Sequence, residues 1–199
     1  AAQHDPRGHV EPKTLDELIE DRAARLTAYQ NAAYADRYRA AVARVRAAEE
    51  KAGLGENLTR AAATYAYKLM AYKDEYEVAR LYTDGKFAEQ LASQFKGGKL
   101  RFWLAAPIIA KKDSHGHLQK KHFGAWMMTG FKVLAKFKGL RGTRLDLFGY
   151  TEERKMERAL RDTYLENLGR LASELTGANH ALAVEIAKLP DEIRGFGHV

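Results

Sequence analysis

Apolar side chains in the middle of the chain recur at alternating steps of four and three residues, and charged residues lie mostly between them. That spacing places the apolar side chains on one stripe of an α-helix. We expect this helix to begin at Asn57 or Thr59, whose side chains can cap N–H groups, and to end at residues 83–85, where Asp-Gly favours a turn. The stripe consists of Leu58, Ala62, Tyr65, Leu69, Tyr72, Tyr76 and Ala79.

The tyrosines of this stripe have two interpretations. A tyrosine ring is wide and amphipathic, so it can be buried while its hydroxyl bonds a backbone acceptor or stays near water. We favour a buried core helix with satisfied hydroxyls over the alternative, which is a tyrosine-lined groove for a ligand.

The same periodicity predicts helices before the central one. Residues 14–17 are Thr-Leu-Asp-Glu, a capping box, and the apolar pattern after them runs to about Glu50 as one long helix or as two. The arginines of this stretch are interpreted as a solvated face, balanced by acids that include Glu49 and Glu50. Gly53 and Gly55 end the helical pattern.

After the central helix, a short helix is predicted from Phe87 to Gln94. The aromatic run 100–104 alternates as strands do, and residues 117–123 return as a second strand, so a small β-hairpin is expected. The final residues, 191–199, carry one aromatic between two glycines, and we expect an extended segment that docks on a surface. Three further helices are predicted at 123–137, from 151 to Gly177, and from 179 to Pro190.

These elements predict a mainly α fold: one helical bundle-like domain over residues 14–199, with a small β-hairpin insertion, after an irregular lead-in at 1–13. No apolar run approaches the ~20 residues that span a bilayer, so no membrane partner is expected. The chain has no cysteine, which excludes disulfides and iron–sulfur ligation by this chain and fits the cytoplasm. It starts without Met or a signal-peptide apolar region, so we expect a piece of a longer protein.

Positive charge is concentrated in one segment. The net charge is +7, but residues 96–144 hold twelve Lys or Arg and one acid, while the rest of the chain holds 21 basic and 25 acidic residues. Such a segment attracts phosphates, nucleic acid or an acidic protein, unless the acidic remainder folds over it. The candidate partner-binding residues are Lys99, Arg101, Lys111, Lys112, Lys120, Lys121, Lys132, Lys136, Lys138, Arg141 and Arg144.

Residues that carry chemistry are sparse. His115, His117 and His122 are the only histidine cluster, but lysines surround them and Asp113 is the only acid beside them, so loop histidines are favoured over a zinc site. The glycine turns match neither phosphate-binding fingerprint. We therefore assign no catalytic, cofactor-binding or metal-binding residue, and the chain alone is not expected to be catalytic.

Five runs of the sequence point, in order, to one family. They are KLMAYKDEYEVARLY at 68–82, FGAWMM at 123–128, KGLRGT at 138–143, TEERKMERAL at 151–160 and IRGFGHV at 193–199. With these runs the chain resembles the C-terminal domain of the fused indolepyruvate ferredoxin oxidoreductase family. The resemblance extends from about Thr14 to the last residue.

The resemblance implies a large single-chain 2-oxoacid:ferredoxin oxidoreductase. Such enzymes decarboxylate aryl pyruvates to acyl-CoA and pass electrons through thiamine diphosphate and iron–sulfur clusters to ferredoxin. The family holds thiamine diphosphate, magnesium and the clusters in upstream domains, so no cofactor is expected in this chain. The resemblance assigns no role to this terminal domain itself. From the basic segment we expect a non-catalytic domain that gives structural support or docks an acidic surface, either that of the catalytic body, which is the remainder of the oxidoreductase, or that of ferredoxin.

Two other functions are open. The same basic residues with an exposed Trp103 or Trp126 suit an independent nucleic-acid-binding module, which is the less favoured partner class. The tyrosine stripe suits a small-molecule binder for an aromatic acid or CoA.

Overall fold

The computed structural model describes residues 14–104 and 121–193 and confirms the mainly α architecture. None of the helices in these two ranges is both long and apolar enough to cross a lipid bilayer. The elements in chain order are α1 (Leu15–Tyr29), α2 (Ala32–Lys51), α3 (Asn57–Met70), α4 (Glu75–Thr83), α5 (Lys86–Gln94), β1 (Phe102–Leu104), β2 (Lys121–Phe123), α6 (Met127–Lys136), a 3-10 helix (Phe137–Leu140), α7 (Glu152–Ser173), α8 (His180–Lys188) and a second 3-10 helix (Leu189–Glu192).

The described residues form two compact units. The first, called here the discontinuous unit, combines residues 14–72 with 156–193. The second, called here the inserted unit, comprises the described residues between 73 and 155. The sequence alone predicts one domain over this range, because helical periodicity does not tell which helices share a core.

The helical stretch that begins at Thr14 is divided into α1 and α2. The predicted capping box is present, since Thr14 and Glu17 exchange hydrogen bonds between side chain and backbone N–H. The division lies at Gln30 and Asn31, where the Asn31 side chain accepts from the Tyr34 N–H at 2.9 Å. Asn31, a favourable N-cap residue, therefore starts a new helix here, although neither Gly nor Pro interrupts the apolar pattern.

The central stripe also forms two helices. The single helix predicted over residues 57–83 is wrong, because α3 ends at Met70 and α4 begins at Glu75, although the predicted C-terminal end is confirmed. Asp74 starts α4 by accepting from the Glu77 N–H at 2.8 Å.

Tyrosine hydroxyls hold the segment between α3 and α4. The Tyr34 hydroxyl donates to the Met70 carbonyl at 2.9 Å, and the Tyr29 hydroxyl donates to the Tyr72 carbonyl at 3.0 Å. The last carbonyls of a helix have no intrahelical partner, so these bonds satisfy acceptors that would otherwise require water. As a result, α3 ends at the point where hydroxyl groups of α1 and α2 donate hydrogen bonds to its last backbone carbonyl and to the segment after it.

The core of the discontinuous unit lies among α1, α2, α3, α7 and α8. α3 contributes mainly alanines to this core, which lets the neighbouring helices approach it closely. Tyr164 and Leu168 of α7, with Ala183, Val184 and Ala187 of α8, complete it. The largest side chains that are fully buried in this core are Leu26, Tyr29, Tyr38, Val42, Val45, Leu58, Met70 and Leu168.

The core of the inserted unit is small and aromatic. The Tyr82 ring is stacked on Phe131 with centroids 5.1 Å apart, and it meets Phe87 and Phe102 edge-on. Phe102 pairs with Phe123 in the antiparallel ladder of β1 and β2, so the predicted hairpin is confirmed. These rings hold the two short strands against α4 and α6.

Leu58→Ala tests the core of the discontinuous unit. The side chain is fully buried at the start of α3, and its truncation leaves a cavity. We expect the free energy of unfolding to fall by about 2–5 kcal/mol in a urea titration. The control Leu182→Ala, at a side chain that is 63% exposed, should change it by less than about 0.5 kcal/mol. Equal losses would contradict this core.

Candidate functional site

A buried carboxylate lies where α2, α3 and α8 meet. Glu49 is 2% exposed, and its Oε1 accepts from the Leu58 N–H at 2.8 Å and lies 2.6 Å from Nε2 of His180. Its Oε2 accepts from the N–H and the hydroxyl of Thr59, at 2.8 and 2.5 Å. The carboxylate thus caps the N-terminus of α3, where Glu56 provides no side-chain cap.

Opposing effects act on the pKa of Glu49. Burial raises the pKa, but hydrogen bonds from Thr59, His180 and Leu58 lower it more, so the net pKa lies below its ordinary value of 4.5. The group is therefore a carboxylate at neutral pH. Both oxygens already have two partners each, so the arrangement stabilises three helices rather than offering a base to a substrate.

The sequence contained a signal for this site. Val42, Val45 and Glu49 follow the spacing of the buried face of α2, so an acid falls on an apolar stripe. The prediction that Glu49 balances arginines on a solvated face is wrong. The prediction that Asn57 or Thr59 caps α3 is wrong too, because the cap comes from α2.

The other tyrosines also use their hydroxyls inside the protein. Tyr38 donates to the Ala63 carbonyl at 3.1 Å, and Tyr164 donates to the Ala187 carbonyl at 2.8 Å. Burial raises the pKa of both hydroxyls, so they stay protonated donors. Tyr76 of the predicted stripe is 2% exposed, which supports the core interpretation at this position.

A buried ion pair organises the inserted unit. Nη2 of Arg141 donates to Oδ1 of Asp74 at 2.8 Å, Nε donates to Oδ2 at 2.5 Å, and the two side chains are 2% and 4% exposed. The guanidinium lies over the Tyr76 ring, 5.4 Å from its centroid. The Tyr76 hydroxyl donates to Asp146 at 3.3 Å, which also accepts from the Gly142 N–H at 2.8 Å. The ion pair ties the start of α4 to the loop after α6.

This pair corrects the prediction for Arg141. A buried guanidinium that is bonded to Asp74 through two nitrogens is not available to a partner on the surface. Lys138 is half-buried, and burial together with the nearby charges of Arg80 and Arg141 lowers its pKa. Arg141 is therefore part of the interior of the inserted unit, and Lys138 is only partly exposed on its surface.

The remaining basic residues that were predicted to bind a partner differ in exposure and in whether the structure describes them. Lys121 lies in β2, and its side chain is outside the described structure. Lys111, Lys112 and Lys120, which were also predicted to bind a partner, lie outside the described ranges. The candidates with exposed side chains are Lys99, Arg101, Lys132, Lys136 and Arg144.

The outer side of α6 combines exposed basic and apolar side chains. Lys132 and Lys136 are four residues apart, and Val133 and Phe137 have the same spacing one position later, so the two pairs form adjacent stripes. Trp126, which precedes the helix, is 65% exposed, while Val133 and Phe137 are 53% and 50% exposed. These five side chains are called the α6 face below. This face is the main candidate for binding in the inserted unit.

Metal binding finds no support among the residues whose structure is described. They contain no group of three His, Asp or Glu side chains placed to hold an ion. His122 is exposed in β2, whereas His115 and His117 fall outside the described ranges. The expectation that this chain carries no cofactor stays a prediction.

Glu49→Gln tests the buried cap. The amide places an N–H₂ group against donors, so we expect a loss of about 1–3 kcal/mol in the free energy of unfolding at pH 7. The folded-state pKa is lowered, so the carboxylate's contribution is full above pH 4.5 and is lost as the pH falls through the folded value. The difference between wild type and variant should therefore shrink below pH 4.5. A difference that is independent of pH would contradict this, and the exposed neighbour Glu50→Gln is the control.

Arg141→Met tests the buried ion pair. The variant leaves the Asp74 carboxylate buried without its partner, so the free energy of unfolding should fall by about 3–5 kcal/mol in a denaturant titration. Adding Asp74→Asn removes the orphaned charge and should recover part of the loss. Arg144→Met, at an exposed arginine three residues later, is the control. If both arginine variants lose the same amount, the ion pair is not structural.

Comparison with known proteins gives one match. No curated protein and no solved structure is significantly similar to the chain. The sequence model of a family of unknown function, DUF6537, matches residues 15–199. Because this match covers most of the sequence, the chain belongs to the DUF6537 family.

Proposed function

We propose that the chain is a non-catalytic helical domain that docks an acidic protein through the α6 face of its inserted unit. The single observation that carries this proposal is the exposure of large apolar side chains directly beside exposed lysines on one helix. An apolar stripe on a helix normally faces a core. Val133 on α6 and its neighbours Trp126 and Phe137, which flank the helix, are instead half or more exposed, which is typical of an interaction site.

The positive charge of the α6 face favours an acidic partner. Lys132 and Lys136 flank the apolar stripe, and Lys99, Arg101 and Arg144 add exposed positive charge to the same unit. A cluster of one sign steers partners of the opposite sign and speeds their association. An acidic protein surface with apolar side chains at its centre complements both features.

A protein partner is favoured over nucleic acid. The inserted unit also exposes Leu145, Leu147 and Tyr150, with 68%, 74% and 60% of each residue accessible. Protein interfaces have an apolar core with a polar rim, whereas interfaces with nucleic acid are more polar and more positively charged. The exposure of Trp126 meets one condition of the nucleic-acid alternative, so the test below includes it.

The resemblance to fused indolepyruvate ferredoxin oxidoreductases supplies two acidic candidates. One is the catalytic body of the same enzyme, and the other is ferredoxin. In this proposal the upstream domains hold thiamine diphosphate, magnesium and the iron–sulfur clusters, and this domain supports or docks them. A cytoplasmic location belongs to the same proposal and is consistent with the absence of cysteine.

A double charge reversal, Lys132→Glu with Lys136→Glu, tests the ferredoxin version in the full-length parent enzyme. We expect the rate of ferredoxin reduction at subsaturating ferredoxin to fall about tenfold at low salt, because steering is reversed. The defect should fade near 1 M salt, where the Debye length is about 3 Å. The matched control is Lys51→Glu with Arg60→Glu, which changes the net charge equally at exposed sites of the discontinuous unit.

The other outcomes separate the alternatives. Unchanged ferredoxin kinetics together with easier protease release of this domain would point to the catalytic body as the partner. A steep negative dependence of DNA or RNA binding on salt, lost in the double variant, would favour the nucleic-acid module. If the double variant and its control behave alike in all three assays, the α6 face is not a docking surface.

A further inference from the structure

An apolar groove of about 480 Å³ opens on the discontinuous unit. α7 forms one wall, α8 and the second 3-10 helix form the other, and Leu69 of α3 contributes to the lining. Tyr164 and Leu168 of α7 and Ala187 of α8 are buried at its floor, where the Tyr164 hydroxyl donates to the Ala187 carbonyl. The two helices are therefore joined at the floor of the groove and stand apart above it.

Large apolar side chains of both walls are exposed along this groove. Met156 and Leu160 of α7 are 58% and 39% exposed. On the other wall, Ile186 is 36% exposed and Leu189 is 63% exposed. Leu182, one turn before Ile186, is exposed as well, so the apolar surface extends beyond the lining of the groove. A contiguous apolar surface marks an interaction site, and this one suits an elongated partner better than a compact small molecule.

The lining favours an occupant that satisfies its own backbone. Among the described residues, the polar side chains of the lining are Thr163, Asn167 and Tyr164, and the Tyr164 hydroxyl is already bonded. An extended segment brings peptide N–H and C=O groups into the groove, and each buried group needs a partner. An α-helix bonds these groups internally and presents its side chains. The groove therefore suits a helix whose apolar stripe enters between α7 and α8.

The length of the groove fits a short helix. Met156 and Leu171 lie at its two ends along α7, and their separation in sequence corresponds to about 22 Å of helix. A partner helix of about four turns spans this distance. Because an amphipathic helix carries an apolar side chain at every third or fourth position, about four such side chains can enter the groove together.

The charges beside the groove favour a basic helix. Glu166 follows Thr163 by three residues and Glu185 follows Leu182 by three, so both carboxylates flank the apolar surface. Opposite charges at the edge of an interface favour the matching partner and disfavour the wrong one. Between residues 156 and 193, the exposed charged side chains are two basic and five acidic ones: Arg170 and Lys188, and Glu166, Glu174, Glu185, Asp191 and Glu192.

We propose that this groove binds a basic amphipathic helix of another protein. The apolar side chains of that helix lie against Leu160 and Ile186, and its lysines or arginines lie beside Glu166 and Glu185. This inference is independent of the proposed docking by the α6 face, because it concerns the discontinuous unit and a partner of the opposite charge.

Titration of the full chain with a model peptide tests the groove. The probe is an amphipathic peptide of leucine and lysine, about 14 residues long to match the groove, and the control peptide has glutamate in place of lysine. With ¹³C-labelled Leu and Ile methyl groups, the signals of Leu160 and Ile186 should shift saturably with the lysine peptide, and those of Leu145 and Leu147 should not. The glutamate peptide should need about tenfold more for the same shift. Equal shifts of Leu160 and Ile186 with both peptides, or no shift with either, would overturn the inference.

A matched pair of variants locates the binding. Leu160→Lys removes an apolar contact and repels the lysine peptide, so the dissociation constant from fluorescence anisotropy should rise about tenfold. Leu147→Lys, at a leucine that is 74% exposed in the inserted unit, changes the net charge equally and should leave the constant within about twofold. Circular dichroism checks that the helices are intact. If both variants bind alike, the groove is not the site.

Two further measurements use the wild-type fold. Glu166→Lys with Glu185→Lys changes only exposed side chains and should weaken binding of the lysine peptide at low salt, with the effect fading near 1 M salt, where the Debye length is about 3 Å. Unchanged binding at low salt would show that the acids do not choose the partner, against the inference. Dilution of the chain without peptide should leave the signals of Leu160 and Ile186 in place. If they move, a second copy fills the groove and the inference is wrong.

Discussion

The fold depends on buried polar groups whose partners come from other helices. The carboxylate of Glu49 lies out of water, where a charge is costly unless donors surround it, and its donors belong to α3 and α8. Burial of apolar surface has no direction, so it brings helices together without fixing how they align. The bonds of Glu49 do have direction, and they set the position of α3 against α2 and α8. Asp74 and Arg141 do the same for α4 and the loop after α6.

The two units differ in what they leave for partners. The discontinuous unit has the larger core. Its buried tyrosine hydroxyls and the carboxylate of Glu49 form hydrogen bonds inside the protein. In the inserted unit, a few aromatic rings make a small core, and much apolar surface faces outward beside lysines. Arg141 lies in the basic segment, but its charge is paired with Asp74 inside the protein. Not every basic residue of the segment is therefore available at the surface. The side chains of the α6 face, in contrast, stay exposed.

Sequence periodicity predicted most helices because each depends on a local pattern: the capping box at Thr14 and the Asp-Gly turn after α4 lie within a few residues of the element they end or start. It failed where the deciding partner is distant in sequence. The break after Met70 depends on hydroxyls 36 and 43 residues away, at Tyr34 and Tyr29. The cap of α3 comes from Glu49, and the burial of Arg141 depends on Asp74, 67 residues earlier. Charge counting treats every lysine and arginine alike, so it cannot find such pairs.

The division of one core between two distant parts of the chain affects how the protein is made. When residue 72 leaves the ribosome, the residues of α1, α2 and α3 have been made, but α7 and α8, which complete the same core, have not. The intervening 83 residues take roughly 4–17 s to synthesise at about 5–20 residues per second. The inserted unit has its own aromatic core and can fold during that time. Until α7 and α8 have been synthesised, the apolar sides of the first three helices lack these partners, so the nascent chain exposes a hydrophobic surface that chaperones can bind.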